Sequence, residues 1–409
     1  MRGGDERLTA LAMGISEPPG GEQEYSDRSI AIRMSVFYFA VFLSAGLYLP
    51  FWPVWLESRG LGPLEISLLY ALGRFTRMLT NPLIAHVVDR RGDRRRPLIV
   101  LSFGATVAFA SYELCSEMWQ YGLVAICVGA LWGTINPLGD SLALVNARQG
   151  RLNYGRVRLW GSISFVLATL AGGRILGVWP ESAIFWALLA TFAAVFAVCF
   201  ITPDTRVEAR PLRLNVFWRL MTDSRFSLFI LASALLQTSH LVVYIFGTLH
   251  WRDAGVDDFM IGVLWAEGVV AEIVLFAFGA AVTARFGAAG LMLMAALAGV
   301  VRWPLLALST DLPVLFIAQA LHAFTFGAAH LGAMAFLSRA IPPSLSATAQ
   351  TLHGAVALGL ASAVISPMLG GLYAIWGGGA FYAMAVLSIV GGAVAFMAMR
   401  RWNGETLEV

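Results

Sequence analysis

Glu272, Asp140 and Arg302 are charged side chains set deep inside long apolar stretches. Each such group costs roughly 2.5–3.5 kcal/mol to insert in a bilayer, so it is by default a candidate for function, with structural pairing between helices as the alternative. Removing water from around a carboxylate favours its neutral form, and a group that loads and releases a proton near neutral pH needs that property. Glu272 is the first candidate for such a carrier. Glu267, five residues earlier, points about 140° away on a helical wheel, whereas Trp265, seven residues earlier, shares the Glu272 face. Arg302 is always charged and demands a partner. His322 titrates in the useful range, and Gln319, His322 and Phe326 form one stripe by three- and four-residue steps. His330 is rotated about 80° from His322, so both can border one space. A membrane histidine equally serves as a plain interhelical hydrogen bond. Asp140 follows the Asn136-Pro137 break, with Trp132 and Asn136 on its face, and can bind substrate, carry a proton or hold Arg77. Glu272, Asp140, His322 and Arg302 are therefore the proton-coupling candidates.

A second set fits recognition of a small solute. Arg74 and Arg77 lie too far inside their apolar stretch for easy snorkelling, about 60° apart. Gln237, His240 and Tyr244 make a stripe, and Tyr48, Phe51, Trp52 and Trp55 make an aromatic run in which Trp55 suits an interface anchor. An arginine pairs with a carboxylate and an aromatic wall accepts a phenyl ring. The substrate-binding candidates are Arg77, Asn136, Gln237, His240, Tyr244, Gln319, His330 and Trp52; His86 and His353 suit packing or loops. Phosphate-cradling loops, paired nucleotide-binding elements, metal-ligand spacing and a nucleophile–base pair are absent from the sequence. No cofactor, metal or enzymatic activity is expected, and Cys115, Cys127 and Cys199 read as small buried thiols.

The elements that must hold these residues follow from composition. The chain is 58% hydrophobic and 13% charged, which places it in a bilayer. About 20 apolar residues cross the hydrocarbon core, and twelve such runs occur, at 31–56, 64–88, 97–114, 119–146, 157–178, 182–202, 226–250, 259–283, 288–308, 312–338, 345–373 and 378–400. Inside lipid only helices or closed barrels satisfy every backbone group, so the expected fold is an all-α membrane protein. All the cations are arginine, and those outside the runs gather on alternate loops; only Arg59, Arg174 and Arg252 fall on the opposite side. The positive-inside rule then puts both termini in the cytoplasm of a multi-pass protein of the bacterial inner membrane.

Shifted by 195 residues, the stretch Leu68–Gly92 meets Val263–Gly287, with Gly73 on Gly268, Arg90 on Arg285, Gly92 on Gly287 and Arg77 on Glu272. An internal repeat fixes architecture before any motif does. The expected divisions are a disordered tail 1–29, a six-helix bundle 30–202, a linker 203–224, a second bundle 225–401 and a tail 402–409. Expected partners are a small-molecule substrate, protons and lipid, with no nucleic acid, for a monomer.

Asp89-Arg90-Arg91-Gly92-Asp93-Arg94-Arg95-Arg96 resembles the loop signature of the major facilitator superfamily, with Ala85 replacing a usual glycine and Asp93 interrupting the basic run. The resemblance implies twelve transmembrane helices in two six-helix pseudo-repeats, and a gating role for Asp89, Arg90 and Gly92. LPFWPVWL (49–56), NYGRVRLWGS (153–162), GVVAEI (268–273), GVVRW (299–303) and the His322…His330 segment resemble the 3-phenylpropionate transporter family, related to lactose permease. That resemblance implies proton-coupled uptake of an aromatic or other small organic acid. Arg302 and His322 match the coupling set of the permease in type and helix, but Thr325 stands where the permease pattern has an acid. Coupling by protons would then need another carboxylate, Glu272 before Asp140. An exporter, a sugar or nucleoside symporter, and a transport-inactive sensor or scaffold use the same fold.

Overall fold

The computed structural model describes residues 26–205, 214–342, 345–402 and 404–407; the side chains of residues 89, 91, 214–217 and 347 are not described. Most of the expected tail 1–29, the centre of the linker 203–224 and parts of the tail 402–409 lie outside these residues. No strand occurs among the described residues. The helices are α1 (Asp27–Ser58), α2 (Pro63–Arg91), α3 (Arg95–Ala110), α4 (Met118–Trp132), α5 (Ile135–Arg148), α6 (Tyr154–Leu176) and α7 (Ser182–Cys199). After the linker come α8 (Leu214–Thr222), α9 (Ser224–Thr238), α10 (Leu241–Asp253), α11 (Asp258–Ala277), α12 (Gly279–Leu308) and α13 (Leu312–Ala320). The last are α14 (Ala329–Ala340), α15 (Ser346–His353), α16 (Ala361–Trp376) and α17 (Phe381–Arg401).

Local chemistry sets many of the ends. The Ser26 side chain accepts from the Ser29 N–H and starts α1, the capping expected of serine. α2 opens on Pro63 and closes at Gly92, whose φ of 70° is the left-handed conformation glycine tolerates. The break between α4 and α5 precedes Pro137, which lacks the N–H that would tie the Gly133 carbonyl into a continuous ladder. Between α9 and α10 the His240 ring caps the interrupted helix, its Nδ1 lying 3.2 Å from the Leu236 carbonyl and 3.3 Å from that of Gln237.

Among the described residues ten helical stretches are long and apolar enough to cross a membrane, so the chain is a multi-pass membrane protein. Its outer surface suits lipid: Leu83, Val100, Leu114, Trp119, Leu297, Leu308, Met368 and Ile375 are each more than 60% exposed. The helices pack in two groups. α1 runs along α6 and α7, α2 along α4, and α3 along α7; in the second group α17 lies against α12 and α9. The groups meet where α6 packs on α11, α2 on α16, and α10 on α1.

Those joints are tight at the end of the bundle away from the arginine-rich loops, and glycine makes them so. A Cβ at Gly173 would collide with the Asp258 carbonyl, one at Gly262 with the Thr169 carbonyl, and one at Gly370 with Ser67. Small residues let helix backbones come this close in a membrane. Arg252 adds a polar link, reaching Glu181 at 3.1 Å in the first group and Asp258 at 2.7 Å in its own. Glu181 lies outside the apolar stretches; a hydrogen bond to its backbone, followed by that from Arg252, holds its carboxyl below the ordinary carboxylate range.

Candidate functional site

The charged residues of α11 and α12 converge with those around a π-helical turn. Ala323–Ala328 is π-helical, a distortion that is frequent at functional sites, and it sets His322, Thr325 and Phe326 toward α9–α12. Arg302, 1% exposed, spends its fork on three neutral acceptors. Nη1 donates to Thr325 Oγ1 at 2.8 Å and to His322 Nδ1 at 3.1 Å, while Nη2 donates to Gln319 Oε1 at 2.9 Å. Gln319 is held in turn by donating to the Leu264 carbonyl at 2.9 Å. The guanidinium also lies 4.7 Å from the Trp303 ring centre.

These bonds fix the proton positions. A guanidinium only donates, so His322 Nδ1 is an acceptor and the ring proton sits on Nε2. That nitrogen faces Glu272 Oε2 at 3.6 Å, just beyond hydrogen-bond length. On the other side, His240 Nδ1 faces two carbonyls and must donate, so Nε2 accepts from Thr325 Oγ1 at 3.0 Å. Arg302, Thr325 and His240 thus form one oriented chain that runs alongside Arg302–His322–Glu272. Thr325, at the position where an acid was looked for, serves as the relay that accepts from Arg302 and donates to His240.

Glu272 looks into a cavity of about 220 Å³ between the two groups of helices. Trp265, Gly268 and Val269 of α11 share its wall with Arg302, Gln319, His322 and Phe326, and Val243 and Tyr244 come from α10. Phe42 and Leu49 of α1 and Arg158, Ser162 and Phe165 of α6 close it from the first group. Trp265 is fixed by donating to Thr248 Oγ1 at 3.0 Å, and Tyr244 stacks between Trp265 at 6.2 Å and His240 at 5.6 Å. Gly268 faces Gln319 and His322 at ordinary contact distance.

Arg158 is a cavity-lining residue that sequence reasoning passed over. Its place near a basic loop made it one more inward-side cation, yet it turns into the cavity, with its guanidinium 3.8 Å from the Phe42 ring centre and 5.7 Å from that of Tyr38. The signal that marked it was the unusual arginine–aromatic run NYGRVRLWGS.

The other candidates lie as follows. Asp140 is not among the cavity lining: it accepts from Tyr38 at 2.6 Å, Tyr154 at 3.2 Å and Asn136 at 3.3 Å. Tyr38, one of its donors, also meets the Arg158 guanidinium with its ring. Gln237 is buried a turn before His240. His330 continues the ring stack from His322 through Phe326, with centroid distances of 5.3 and 6.2 Å. Trp52 is placed elsewhere: it is 1% exposed and stacked at 4.6 Å on Trp55 and 4.9 Å from Phe109. Its ring is consumed by the core of the first group. Arg77 packs its stem on Gly133 and is not brought to Glu272's cavity. Arg90 is exposed and Gly92 forms the left-handed end of α2, while the Asp89 side chain lies outside the described residues. No metal-binding group of histidine, cysteine and acidic residues was found among the described residues.

Comparison with known proteins bears on the family and the fold. The family described as the MFS_1 like family matches residues 31–384. The chain is 31% identical over 360 residues to a probable 3-phenylpropionic acid transporter of Escherichia coli (strain K12), covering 87% of this chain and 94% of that one. It is 28% identical to a maltose permease of Geobacillus stearothermophilus, covering 90% and 94%. Among solved structures, the nucleoside transporter NupG superposes with a TM-score of 0.78 at 14% identity, covering 91% of this chain and 99% of that one. An inward-facing, occupied bacterial homologue of the human lysosomal transporter Spinster gives 0.72 at 16% identity, covering 93% and 98%. Helices long enough to cross a membrane, a cavity between them lined by charged and aromatic side chains and relatives that are transporters lead to one conclusion: this chain belongs to the MFS_1 like family and is a major facilitator transporter of small molecules.

Proposed function

We propose that the protein is a proton-coupled symporter that takes up a small organic acid, an aromatic one by preference, through alternating access. The observation that carries the reading is Glu272, facing the cavity on one side and the Nε2–H of a neutral His322 on the other. With His322 Nδ1 occupied by Arg302, the carboxylate of Glu272 is the group left free to take a proton. Loading it removes a charge from the cavity and lowers the cost of closing it; Arg302 and His322 are positioning residues for that step. A cavity of about 220 Å³ lies below the roughly 300–1,000 Å³ usual for drug-sized ligands. It suits a single ring with a short acid chain, and Tyr244, Trp265 and Phe326 offer apolar faces for that ring. Arg158 supplies positive charge opposite Glu272. Asp140, held by three donors, serves to anchor the first group of helices.

The same reading takes the architecture as twelve spans in two six-helix halves. Two further crossings support it: the 54-residue run Thr348–Arg401 is long enough for two passes, and the 29-residue α2 is long enough for one. The termini and arginine-rich loops are then cytoplasmic, in an inner membrane, with a monomer as the working unit. The glycine joints and the Glu181–Arg252 link close the outer face, which corresponds to an inward-facing state.

The test is uptake of labelled 3-phenylpropionate by proteoliposomes with and without an inward proton gradient. Gradient-driven accumulation is expected, and Glu272→Gln is expected to abolish accumulation while keeping exchange of substrate for substrate. Full proton-dependent accumulation by that variant would sink the mechanism. Efflux against the gradient would instead mark an exporter.

A further inference from the structure

We infer that Arg74, with Tyr70 and Ser366, forms an anion subsite that takes the carboxylate of the substrate whose ring enters the Glu272 cavity, Arg74 itself not being part of that cavity's lining; the inference rests on the organic-acid reading above. Arg74 lies about 16 Å along α2 from its start and about 25 Å from its end, at 1.5 Å per residue, beyond the reach of an arginine side chain to either surface. Its Nη1 donates to Ser366 Oγ at 2.7 Å, and that hydroxyl donates onward to the Ser362 carbonyl at 2.7 Å. The guanidinium stands 5.3 Å from the Tyr70 ring centre. No carboxylate pairs with it among the described residues. A full charge at this depth therefore has one neutral hydroxyl and one aromatic face, with most of its five N–H donors unspent.

A second observation points to the same ligand. Tyr70 is 7% exposed and its buried hydroxyl has no hydrogen-bond partner among the described residues. A planar, singly charged carboxylate answers both groups, taking a forked pair of N–H bonds from Arg74 and one O–H bond from Tyr70. The ring of Tyr48 lies 6.0 Å from that of Tyr70 and stacks on Trp52 at 5.8 Å, so the subsite has an aromatic wall on one side. Arg77, one turn along α2, makes no ion pair among the described residues and adds positive potential.

Position gives the subsite leverage. Ser67, Tyr70, Arg74 and Met78 follow at three- and four-residue steps, and Ser67 meets Gly370 while Met78 meets Gly359. This face of α2 is the one applied to α16 and the π-helical Gly354–Leu360 segment. A carboxylate bound at Arg74 competes with Ser366 for the guanidinium and so acts directly on the joint between the two groups.

The experiment is equilibrium binding of labelled 3-phenylpropionate to the purified full-length protein, with the neutral 3-phenylpropanamide as competitor, alongside proton-driven uptake. Wild type is expected to prefer the acid to the amide by about tenfold or more, since a charge-assisted contact of this kind is worth at least that. Arg74→Gln should lose the preference, Arg74→Lys should keep part of it, and Tyr70→Phe should weaken acid binding several-fold with the amide unchanged. Melting curves report folding; if Arg74→Gln does not fold, Arg74→Lys and Tyr70→Phe decide. An acid preference unchanged in the folded variants overturns the subsite and leaves the symporter reading standing. If wild type neither binds nor accumulates the acid, the organic-acid reading falls and the subsite with it.

Discussion

At the residue scale the arrangement turns on how one buried cation is satisfied. Arg302 is surrounded by a histidine nitrogen, a threonine hydroxyl and an amide oxygen, with no acid bonded to it directly. Its role is to set proton positions on His322 and, through Thr325, on His240. Arg302→Gln is expected to leave buried acceptors unmatched, each costing about 1–3 kcal/mol. Thermal unfolding in detergent should show the loss as a lowered midpoint. Arg302→Lys should not restore transport, because a single ammonium cannot reproduce the planar fork that serves Gln319 on one nitrogen and His322 and Thr325 on the other. Restored proton-driven uptake in Arg302→Lys would show that charge alone suffices. Glu272, Arg302 and His322 were legible as residues from their depth in apolar sequence. Arg158 was not, because a cation near a basic loop looks the same in sequence whether it faces water or turns inward.

At the element scale, the candidate site lies at interruptions in the helices. A π-helical turn follows His322, and His322 and Thr325 both accept from Arg302. The glycines of α6 and α11 make the opposite kind of statement, allowing two regular helices to touch backbone to backbone. Gly173→Val and Gly262→Leu are each expected to hold that face apart, since the added atoms would fall on main-chain oxygens of the facing helix. Reaction of a cysteine introduced at Val256 with a membrane-impermeant maleimide should rise in either variant. An unchanged rate in both would mean that the joint is not the closure. The sequence shows a glycine but not what it faces, so these joints could not be read from it.

At the scale of the whole molecule, two groups of helices meet where α6 packs on α11, α2 on α16 and α10 on α1, with a polar link beside them, and a transporter must break and remake such joints. Arg252→Gln removes the Glu181 contact, a half-exposed pair worth about 0.2–1 kcal/mol, and should make the closed outer face open more often without unfolding the protein. Fluorescence between labels on the ends of α7 and α10 should report the shift, and added salt should mimic it in wild type. The pH sign is fixed by Glu181. Its carboxyl is held below the ordinary range, so the link is intact above that range and weakens as pH falls through the depressed value. Loss of the link on raising pH toward neutrality would contradict this account.

Apolar run length, arginine bias and a 195-residue self-similarity determined, without coordinates, that the chain lies in a bilayer as a bundle of helices with charges buried at particular depths. Those properties are local: they follow from what each stretch of twenty residues costs to place in lipid or in water. Which charges meet was decided only by the tertiary structure. Arg77 and Glu272 coincide when the sequence is shifted by 195 residues, yet the described side chains take Arg77 to Gly133 and Glu272 to His322 and the cavity. Trp52 went to the core, Arg158 to the cavity and Arg74 to Ser366. Side-chain direction across a helix pair depends on crossing angle, glycine contacts and π-helical turns, and these arise from packing between segments far apart in the chain.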